Sequence, residues 1–277
     1  MFKLVTVFLS LVFSAGAYAT DVPKQFRGTW AYPSCAQPTE TVLLYHRAYL
    51  WIGSRGTELR GVSLAKAQPA DWTRVEDSNG TPYFFKLNSP ERLAETFLPR
   101  GATKQAAPTK EWGSVVYESC KGQLPDELVL LHGEPVSLLN LIEDIAPWCS
   151  TDRARCVKAL FDALDVSRDG SLSKAEISRA VRIGSYLAAV SGNEYPSTAQ
   201  LMGVNLAAIR MGPEISGAII DSFDYDNSGG VSLSELSLNR EQLFGQLTAT
   251  GANPETSVER AKKSLKPLEE LFRGLMR

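Results

Sequence analysis

Two short acidic segments in the second half of the chain follow the same twelve-residue pattern, and this repeat constrains the fold more than any other feature. They are residues 165–176 and 224–235. In each segment, oxygen-bearing side chains stand at positions one, three and five, glycine at position six, an apolar residue at position eight and glutamate at position twelve. Two unrelated turns would not repeat all of these features, so the segments predict two copies of one structural unit.

The polar positions of both segments suit a hard cation. Ca²⁺ takes six to eight oxygen ligands at about 2.3 to 2.6 Å, with a sharp glycine turn at position six and a bidentate glutamate at position twelve. Position seven of each segment would contribute a backbone carbonyl. The predicted ligands are therefore Asp165, Ser167, Asp169, Ser171 and Glu176 in the first segment, and Asp224, Asp226, Ser228, Gly230 and Glu235 in the second.

Both segments resemble the calcium loop of the EF-hand family. Apolar residues at helical spacing precede each loop, as that family requires. The resemblance implies that the loops pair through a short two-stranded ladder at their apolar eighth positions, Leu172 and Val231. Each loop has only three carboxylates, and Arg168 adds an opposing charge to the first. We therefore expect a modest calcium affinity, on the order of 10⁻⁵ to 10⁻³ M.

The N-terminus predicts an exported protein. Residues 1–19 contain Lys3, an apolar run over residues 4–13 and the small-residue cleavage site Ala17-Tyr18-Ala19, which together are typical of a secretory signal peptide. A membrane anchor needs roughly 17 to 25 apolar residues, and this run is shorter. We expect a secreted or periplasmic protein with no stable membrane insertion. The formal net charge of −2 gives no electrostatic basis for binding nucleic acid.

Four cysteines favour an oxidising compartment. They allow three pairings, and we predict the one whose bridges stay within single domains, Cys35 with Cys120 and Cys149 with Cys156. The alternative, a zinc site, would need ligand spacings that the chain lacks, since it has no C-x-x-C motif and only two histidines, His46 and His132.

The first half of the chain predicts short antiparallel strands. Runs rich in Val, Tyr, Phe and Trp alternate with turn residues, and Asp77-Ser78-Asn79-Gly80 is a strong hairpin signal. The predicted strands cover residues 27–32, 41–52 with a break near Arg47, 57–63, 72–76, 83–87, 93–98, 112–119 and 127–131. The predicted fold class is α+β, with an N-terminal antiparallel β barrel or sandwich followed by an all-helical EF-hand domain.

The predicted domains are a signal peptide at 1–19, a small antiparallel β domain at 20–133, an EF-hand pair at 134–250 and an amphipathic tail at 251–277. Gly133-Glu134-Pro135 is interpreted as the end of the β region, followed by a short helix over 138–145. The two loops lie farther apart than in a compact pair. An inserted helix over about 198–211, ended by Gly212-Pro213, accounts for the extra length.

The start of the β region, Gly28-Thr29-Trp30, resembles the glycine-x-tryptophan opening of lipocalin-type barrels. That resemblance implies a closed barrel, clasped by Cys35 and Cys120, that could carry a ligand. Four of the five tryptophans lie in this half of the chain. An open aromatic cluster would favour a carrier, whereas a filled interior would make these tryptophans structural. They are Trp30, Trp51, Trp72 and Trp112.

Two functional hypotheses follow. The first is an exported calcium-binding protein that is not an enzyme, with a structural or weak sensing role for the ion and a β domain that engages another protein. The second is an exported small-ligand carrier or enzyme with its site in the β domain and calcium only structural. No nucleophile elbow, zinc-protease motif or phosphate loop is present, and His46 and His132 are interpreted as structural residues of β segments.

The tail has an amphipathic pattern. Apolar residues recur at helical spacing on one face, the other face is basic on balance, and Pro267 predicts a bend. Basic amphipathic helices are typical occupants of EF-hand grooves. We therefore expect the tail to bind its own EF-hand domain near Met202 and Met211. The alternatives are a helix at the domain junction and a helix on a membrane surface. The apolar residues are Val258, Ala261, Leu265, Leu268, Phe272 and Leu275.

Overall fold

The structure is a computed structural model that describes residues 21–99, 101–103, 106–109, 111–149, 151–192 and 195–238. The predicted signal peptide at 1–19 and the predicted tail at 251–277 lie outside these residues. The described residues form two compact units. One contains Leu138–Tyr186 together with residues from Gln200 onward, and the other contains the residues up to Ser137 together with Leu187–Ala199. The domain boundaries proposed from the sequence stay predictions.

Eight antiparallel strands form a closed barrel in which each strand pairs with the next along the chain, and the first pairs with the last. This confirms the predicted fold class and selects a barrel over a sandwich. The strands are β1 (Gly28–Tyr32), β2 (Glu40–Leu44), β3 (Ala48–Gly53), β4 (Gly56–Ala67), β5 (Thr73–Asp77), β6 (Pro82–Ser89), β7 (Arg92–Phe97) and β8 (Ser114–Ser119).

Local sequence signals explain the turns of the barrel. The predicted break near Arg47 separates β2 from β3. The predicted hairpin joins β5 to β6, where the Asp77 carboxylate accepts hydrogen bonds from the backbone N–H groups of Asn79 and Thr81 at 2.8 Å each. Gly80 follows with a φ of 71°, a conformation that glycine adopts without strain.

Apolar side chains that alternate along the strands fill the barrel. Trp30 and Trp51 are buried in this core, and the indole N–H of Trp30 donates to the Phe26 carbonyl at 2.7 Å. Trp72 and Trp112 are half-buried, with Trp112 packed edge-on against Phe84. The four tryptophans therefore do not form one open cluster, which favours their structural interpretation.

Both predicted disulfides are present. Cys35–Cys120 joins residues that follow β1 and β8, the two strands whose pairing closes the barrel. Cys149–Cys156 links the end of helix α1 (Asp126–Cys149) to helix α2 (Arg153–Leu164). Asp152 caps α2 by accepting a hydrogen bond from the backbone N–H of Arg155 at 3.0 Å.

The predicted strand at 127–131 is wrong, because these residues form the start of α1. His132 and Val136 are buried on one face of this helix, while Leu130 is 93 % exposed on the other. The apolar run therefore follows a helical period and not the alternation of a strand. His132 is thus a helical residue, and burial lowers its pKa to about 4. Gly133-Glu134-Pro135 also lies within α1, so the break predicted there and the separate helix at 138–145 are wrong as well.

Three further helices and a small second sheet complete the described chain. They are α3 (Lys174–Val190), α4 (Thr198–Phe223) and α5 (Leu233–Leu238), with β9 (Ser171–Leu172) and β10 (Val231–Ser232) forming the sheet. None of the helices in the described part of the chain is long and apolar enough to cross a membrane.

The predicted end of the inserted helix at Gly212-Pro213 is wrong, because α4 continues through both residues to Phe223. Gly212 is buried against α3, where an added Cβ would lie 3.2 Å from the Cβ of Ser178. Ser178 also shares a hydrogen bond of 3.0 Å with the hydroxyl of Ser216. Proline lacks the N–H group for a helical hydrogen bond, so the sequence alone predicts a helix end here. Packing on both sides of Pro213 offsets this loss, and the helix continues.

The barrel interior also holds a carboxyl group. Glu95 on β7 is 4 % exposed, and burial raises its pKa to about 7, with a further increase from the nearby Glu40. Its hydrogen bond with Tyr117 lowers the pKa, but the effect of burial is larger. Glu95 is therefore largely protonated below neutral pH in the folded protein.

We predict that Glu95 makes the protein less stable as the pH rises from about 4.5 to about 7. Over this range the unfolded chain loses the carboxyl proton while the folded barrel keeps it, so the free energy of unfolding falls by about 3 kcal/mol. Glu95→Gln should remove this slope, and Glu118→Gln on the opposite face of the neighbouring strand should retain it. Urea denaturation at a series of pH values measures both, and equal slopes in wild type and Glu95→Gln would contradict the prediction.

Candidate metal centres

The first acidic loop lies between α2 and α3, and its first carboxylate organises the turn. Asp165 follows α2 and is 6 % exposed. Its side chain accepts hydrogen bonds from the backbone N–H groups of Asp169 at 3.2 Å and Gly170 at 2.9 Å. Gly170 has a φ of 86°, the left-handed conformation that the sequence predicted for position six. Carboxylate acceptors and a glycine turn therefore define this loop without help from distant residues.

The twelfth residue of the loop, Glu176, ties the loop to the helix that follows. One carboxylate oxygen accepts from the backbone N–H of Ser167 at 2.9 Å, and the other accepts from the backbone N–H and hydroxyl of Ser173 at 2.9 and 2.7 Å. In return, the Ser173 hydroxyl accepts from the N–H of Glu176 at 3.3 Å. This reciprocal pair is a capping box at the start of α3.

The second loop, between α4 and α5, repeats these contacts. Asp224 accepts from the backbone N–H groups of Ser228 and Gly229 at 2.9 and 2.8 Å. Glu235 accepts from the N–H of Tyr225 at 2.7 Å, and from the N–H and hydroxyl of Ser232 at 2.7 and 2.8 Å. Gly229 has a φ of 90°. The repeat seen in the sequence is thus also a repeat of hydrogen bonds.

The serine at position nine of each loop has a structural role. Ser173 and Ser232 each cap the following helix and each orient the glutamate three residues later. The signal was present in the sequence, because S-x-x-E occurs at the same place in both loops. Position four was also missed: Arg168 and Asn227 have positive φ values of 59° and 58°.

The two loops contact each other through the predicted ladder. Leu172 pairs with Val231 and Ser171 with Ser232, so β9 and β10 are antiparallel. Both apolar residues are buried in a core with Phe161, Ile177 and Phe223 from the flanking helices. The prediction that pairing survives the inserted helix is therefore confirmed.

Close approach of the loops explains a further glycine. Gly230, at position seven of the second loop, is buried, and an added Cβ would clash with the hydroxyl of Ser171 and lie 3.2 Å from the Leu172 carbonyl. A side chain at this position would thus push the ladder apart. The sequence pattern alone did not distinguish this steric role from the predicted role of Gly230 as a carbonyl ligand.

The chemistry of the loops fits a hard divalent cation. In the second loop, carboxylate oxygens of Asp224, Asp226 and Glu235 lie within 4.8 Å of one another. Hydrogen bonds from the backbone N–H and hydroxyl of Ser232 lower the pKa of Glu235. Carboxylates that converge in a glycine-containing turn are the donor set that Ca²⁺ prefers.

In the first loop, the side chains that could bind a cation have different hydrogen bonds. Asp165 and Ser167 are joined by a hydrogen bond of 3.2 Å between the hydroxyl and the carboxylate, whereas Asp169 accepts from the backbone N–H of Ser171. Burial raises the pKa of Glu176, but the hydrogen bonds from Ser167 and Ser173 outweigh it and bring the pKa to about 2. Glu176 is therefore ionised at neutral pH. The assignment of individual ligands in both loops stays a prediction.

Comparison with known proteins agrees with this geometry. Residues 157–181 match the EF-hand family model. The match covers most of α2, the first loop and the start of α3, and it implies a calcium-binding site in this part of the chain. No curated protein and no solved structure matches the chain.

We predict that Gly170→Ala destabilises the calcium-free protein by about 1 to 2 kcal/mol, because alanine must adopt the left-handed conformation at that position. An added Cβ would meet nothing within 4 Å at Gly170, so the effect would come from the backbone alone. Gly203→Ala is the matched control: this helical glycine also has open space around it, and alanine there should be neutral or stabilising. Urea denaturation gives both values, and equal stability of the two variants would contradict the prediction.

Proposed function

We propose that this chain is an exported calcium-binding protein with two EF-hand sites of modest affinity, in which calcium has a structural or weak sensing role. The observation that carries the proposal is the shared hydrogen-bond arrangement of the two loops, in which an aspartate organises the turn and a capped glutamate closes it. The family match to residues 157–181 supports calcium binding at the first loop.

The second site is supported by different evidence. The loop at 224–235 repeats the main hydrogen bonds of the first, from positions five and six to its first aspartate and from position nine to its glutamate. Its three carboxylates also lie close together. The ladder between Leu172 and Val231 joins the loops through one hydrophobic core. Because this core is shared, order in one loop favours order in the other, and we expect binding at the two sites to be coupled.

Export is supported by the two disulfides, which indicate an oxidising environment. The secretory signal predicted at 1–19 agrees with this, so we propose a secreted or periplasmic location. For the barrel we propose a binding role towards another protein and not a small-ligand site built from exposed tryptophans, because Trp30 and Trp51 belong to its buried core. We propose no enzymatic activity.

We predict that the wild-type protein binds two calcium ions, and that Glu176→Gln and Glu235→Gln each remove one site. The amide keeps the size of the side chain but removes the charge and the bidentate carboxylate, so affinity at the altered site should fall by at least about tenfold. Isothermal titration with calcium measures the stoichiometry.

Glu214→Gln, at an exposed position of α4 outside both loop sequences, is the control and should bind like wild type. Absence of calcium uptake by the wild-type protein at millimolar calcium would refute the proposal. Loss of one site in Glu176→Gln with no change in Glu235→Gln would restrict it to the first loop.

The C-terminal tail is proposed as an internal ligand of the helical unit. Met202, Leu206 and Ile209 lie one turn apart on α4 and are 52 %, 65 % and 51 % exposed. They form an apolar stripe beside the buried face that contains Leu201 and Val204. The amphipathic sequence of residues 253–277 offers a complementary apolar face, and it is joined to the same unit through α5.

We predict that deletion of residues 254–277 exposes this stripe and increases the binding of a hydrophobic fluorescent dye. Leu206→Ser should make the stripe less apolar. Deletion of the tail from this variant should therefore increase dye binding less than deletion of the tail from wild type. Dye titration with and without calcium measures both effects. Unchanged dye binding and calcium affinity after truncation would show that the tail does not cover this surface.

A further inference from the structure

A pair of acidic side chains inside the barrel has no counter-ion in the described structure. Glu95 on β7 is buried, and Glu40 on β2 is half-buried at the barrel end. No basic side chain among the described residues forms an ion pair with either. Two adjacent carboxyls in a low-dielectric interior are unfavourable without a cation, and most barrels of this size fill such positions with apolar residues.

The two carboxyls share one hydroxyl group. The Tyr117 hydroxyl donates to a carboxylate oxygen of Glu40 at 3.2 Å, and it also forms a hydrogen bond with Glu95. The hydroxyl is the donor in both contacts, since its hydrogen bond lowers the pKa of Glu95, and the lone pairs of its oxygen stay free to accept. Below neutral pH, where Glu95 is largely protonated, that carboxyl adds no charge to the cluster.

One oxygen of this cluster is left without a partner. The Oε2 atom of Glu95 is fully buried and has no hydrogen bond within the described residues. An unmade hydrogen bond at a buried polar atom costs about 1 to 3 kcal/mol, so an atom of this kind is rare in a folded protein unless a ligand or water satisfies it. An ionised carboxylate only accepts hydrogen bonds, so the group that would satisfy Oε2 in that form is a hydrogen-bond donor.

The solvent side of the cluster is aromatic. Tyr32 lies directly opposite Glu40 in the β1–β2 register, and its ring packs edge-on against Tyr117 with centroids 6.3 Å apart. Tyr32 is 42 % exposed, so it stands where the cluster meets solvent. An aromatic face beside carboxylates is the combination that attracts an ammonium ion.

We propose that this end of the barrel binds a primary alkylammonium ion, whose three N–H groups donate to Glu40, Tyr117 and the Oε2 atom of Glu95 while Tyr32 lies against the cation. A primary ammonium group has three donors and no acceptor, which matches the three acceptors of the cluster. A quaternary ammonium has no donor, and a neutral alcohol lacks the charge.

Binding should release a proton. The incoming cation favours the ionised form of Glu95, so the carboxyl proton leaves to solvent while the Tyr117 oxygen accepts from the ligand. The positive charge of the ligand is balanced by the new negative charge of Glu95, so the net charge of the site is unchanged. The sheet neighbours of Glu95, Phe85 on β6 and Val115 on β8, are uncharged, so Glu40 and Tyr117 are the titratable groups that act on it.

The test is isothermal titration of the full-length, calcium-saturated protein with n-butylammonium chloride. We expect saturable one-to-one binding that is about tenfold tighter at pH 8 than at pH 6, because the fraction of ionised Glu95 rises by that factor around its midpoint. Titration at pH 6 in buffers of different ionisation enthalpy should show the release of nearly one proton per ligand. Neither n-butanol nor tetramethylammonium should bind comparably.

Three variants test whether the ammonium ion binds at this cluster. Glu95→Gln should remove both the pH dependence and the proton release. Glu40→Gln should weaken binding at least about tenfold. Because Glu40 is half-buried at the rim, this variant tests the site even if the buried Glu95→Gln substitution impairs folding. Glu118→Gln, next to Tyr117 but on the other face of β8, should bind like wild type. Absence of saturable binding at pH 8, equal binding of n-butanol, or unchanged binding in Glu40→Gln would overturn the proposal. Repeating the titration in EDTA separates this result from calcium binding.

Discussion

The helical unit depends on one repeated interaction, the hydrogen bonds that a glutamate carboxylate accepts from the backbone of its own loop. Glu176 and Glu235 each bind N–H groups at the start of the loop and at position nine. Each glutamate is also the third residue of a helix, so the same carboxylate ends the loop and caps the helix. The loop conformation and the direction of the following helix are therefore set together.

This arrangement explains how the loops have a defined shape while keeping carboxylates available for a cation. Backbone N–H groups stabilise the ionised form of each glutamate, which lowers its pKa. The apolar ladder residues Leu172 and Val231 then join the two loops through a shared core. Local hydrogen bonds shape each loop, and hydrophobic packing holds the pair, so the two contributions can be separated by mutation.

The barrel is organised differently, since its closure depends on contacts between distant parts of the chain. β1 and β8 pair at only two registered positions, and the Cys35–Cys120 bridge joins the residues that follow these strands. The apolar core around Trp30 fills the interior, yet Glu95 and Glu40 are retained within the same barrel. Buried acids reduce stability unless something compensates them, which makes this cluster the part of the barrel that packing alone does not explain.

Features that depend on short-range chemistry were predicted from the sequence. The loop glycines, the position-twelve glutamates, the hairpin at Asp77 and the β-rich first half follow from residue type and spacing, because the physical cause lies within a few residues. Both disulfides were also predicted, since pairing within a domain left one choice. The α+β class and the pairing of Leu172 with Val231 were confirmed by the structure.

Tertiary packing decided the rest. An apolar run at 128–131 suits a strand or a helix, and only burial of His132 and Val136 on one face shows that it is helical. Gly212-Pro213 is locally typical of a helix end, but contacts with Ser178 and Ser216 carry α4 onward. The meeting of Glu40, Tyr117 and Glu95 was likewise invisible in the sequence, because these residues come from strands far apart in the chain. Local conformational preferences are encoded within a few residues, whereas helix continuation and buried clusters depend on which distant residues are brought into contact.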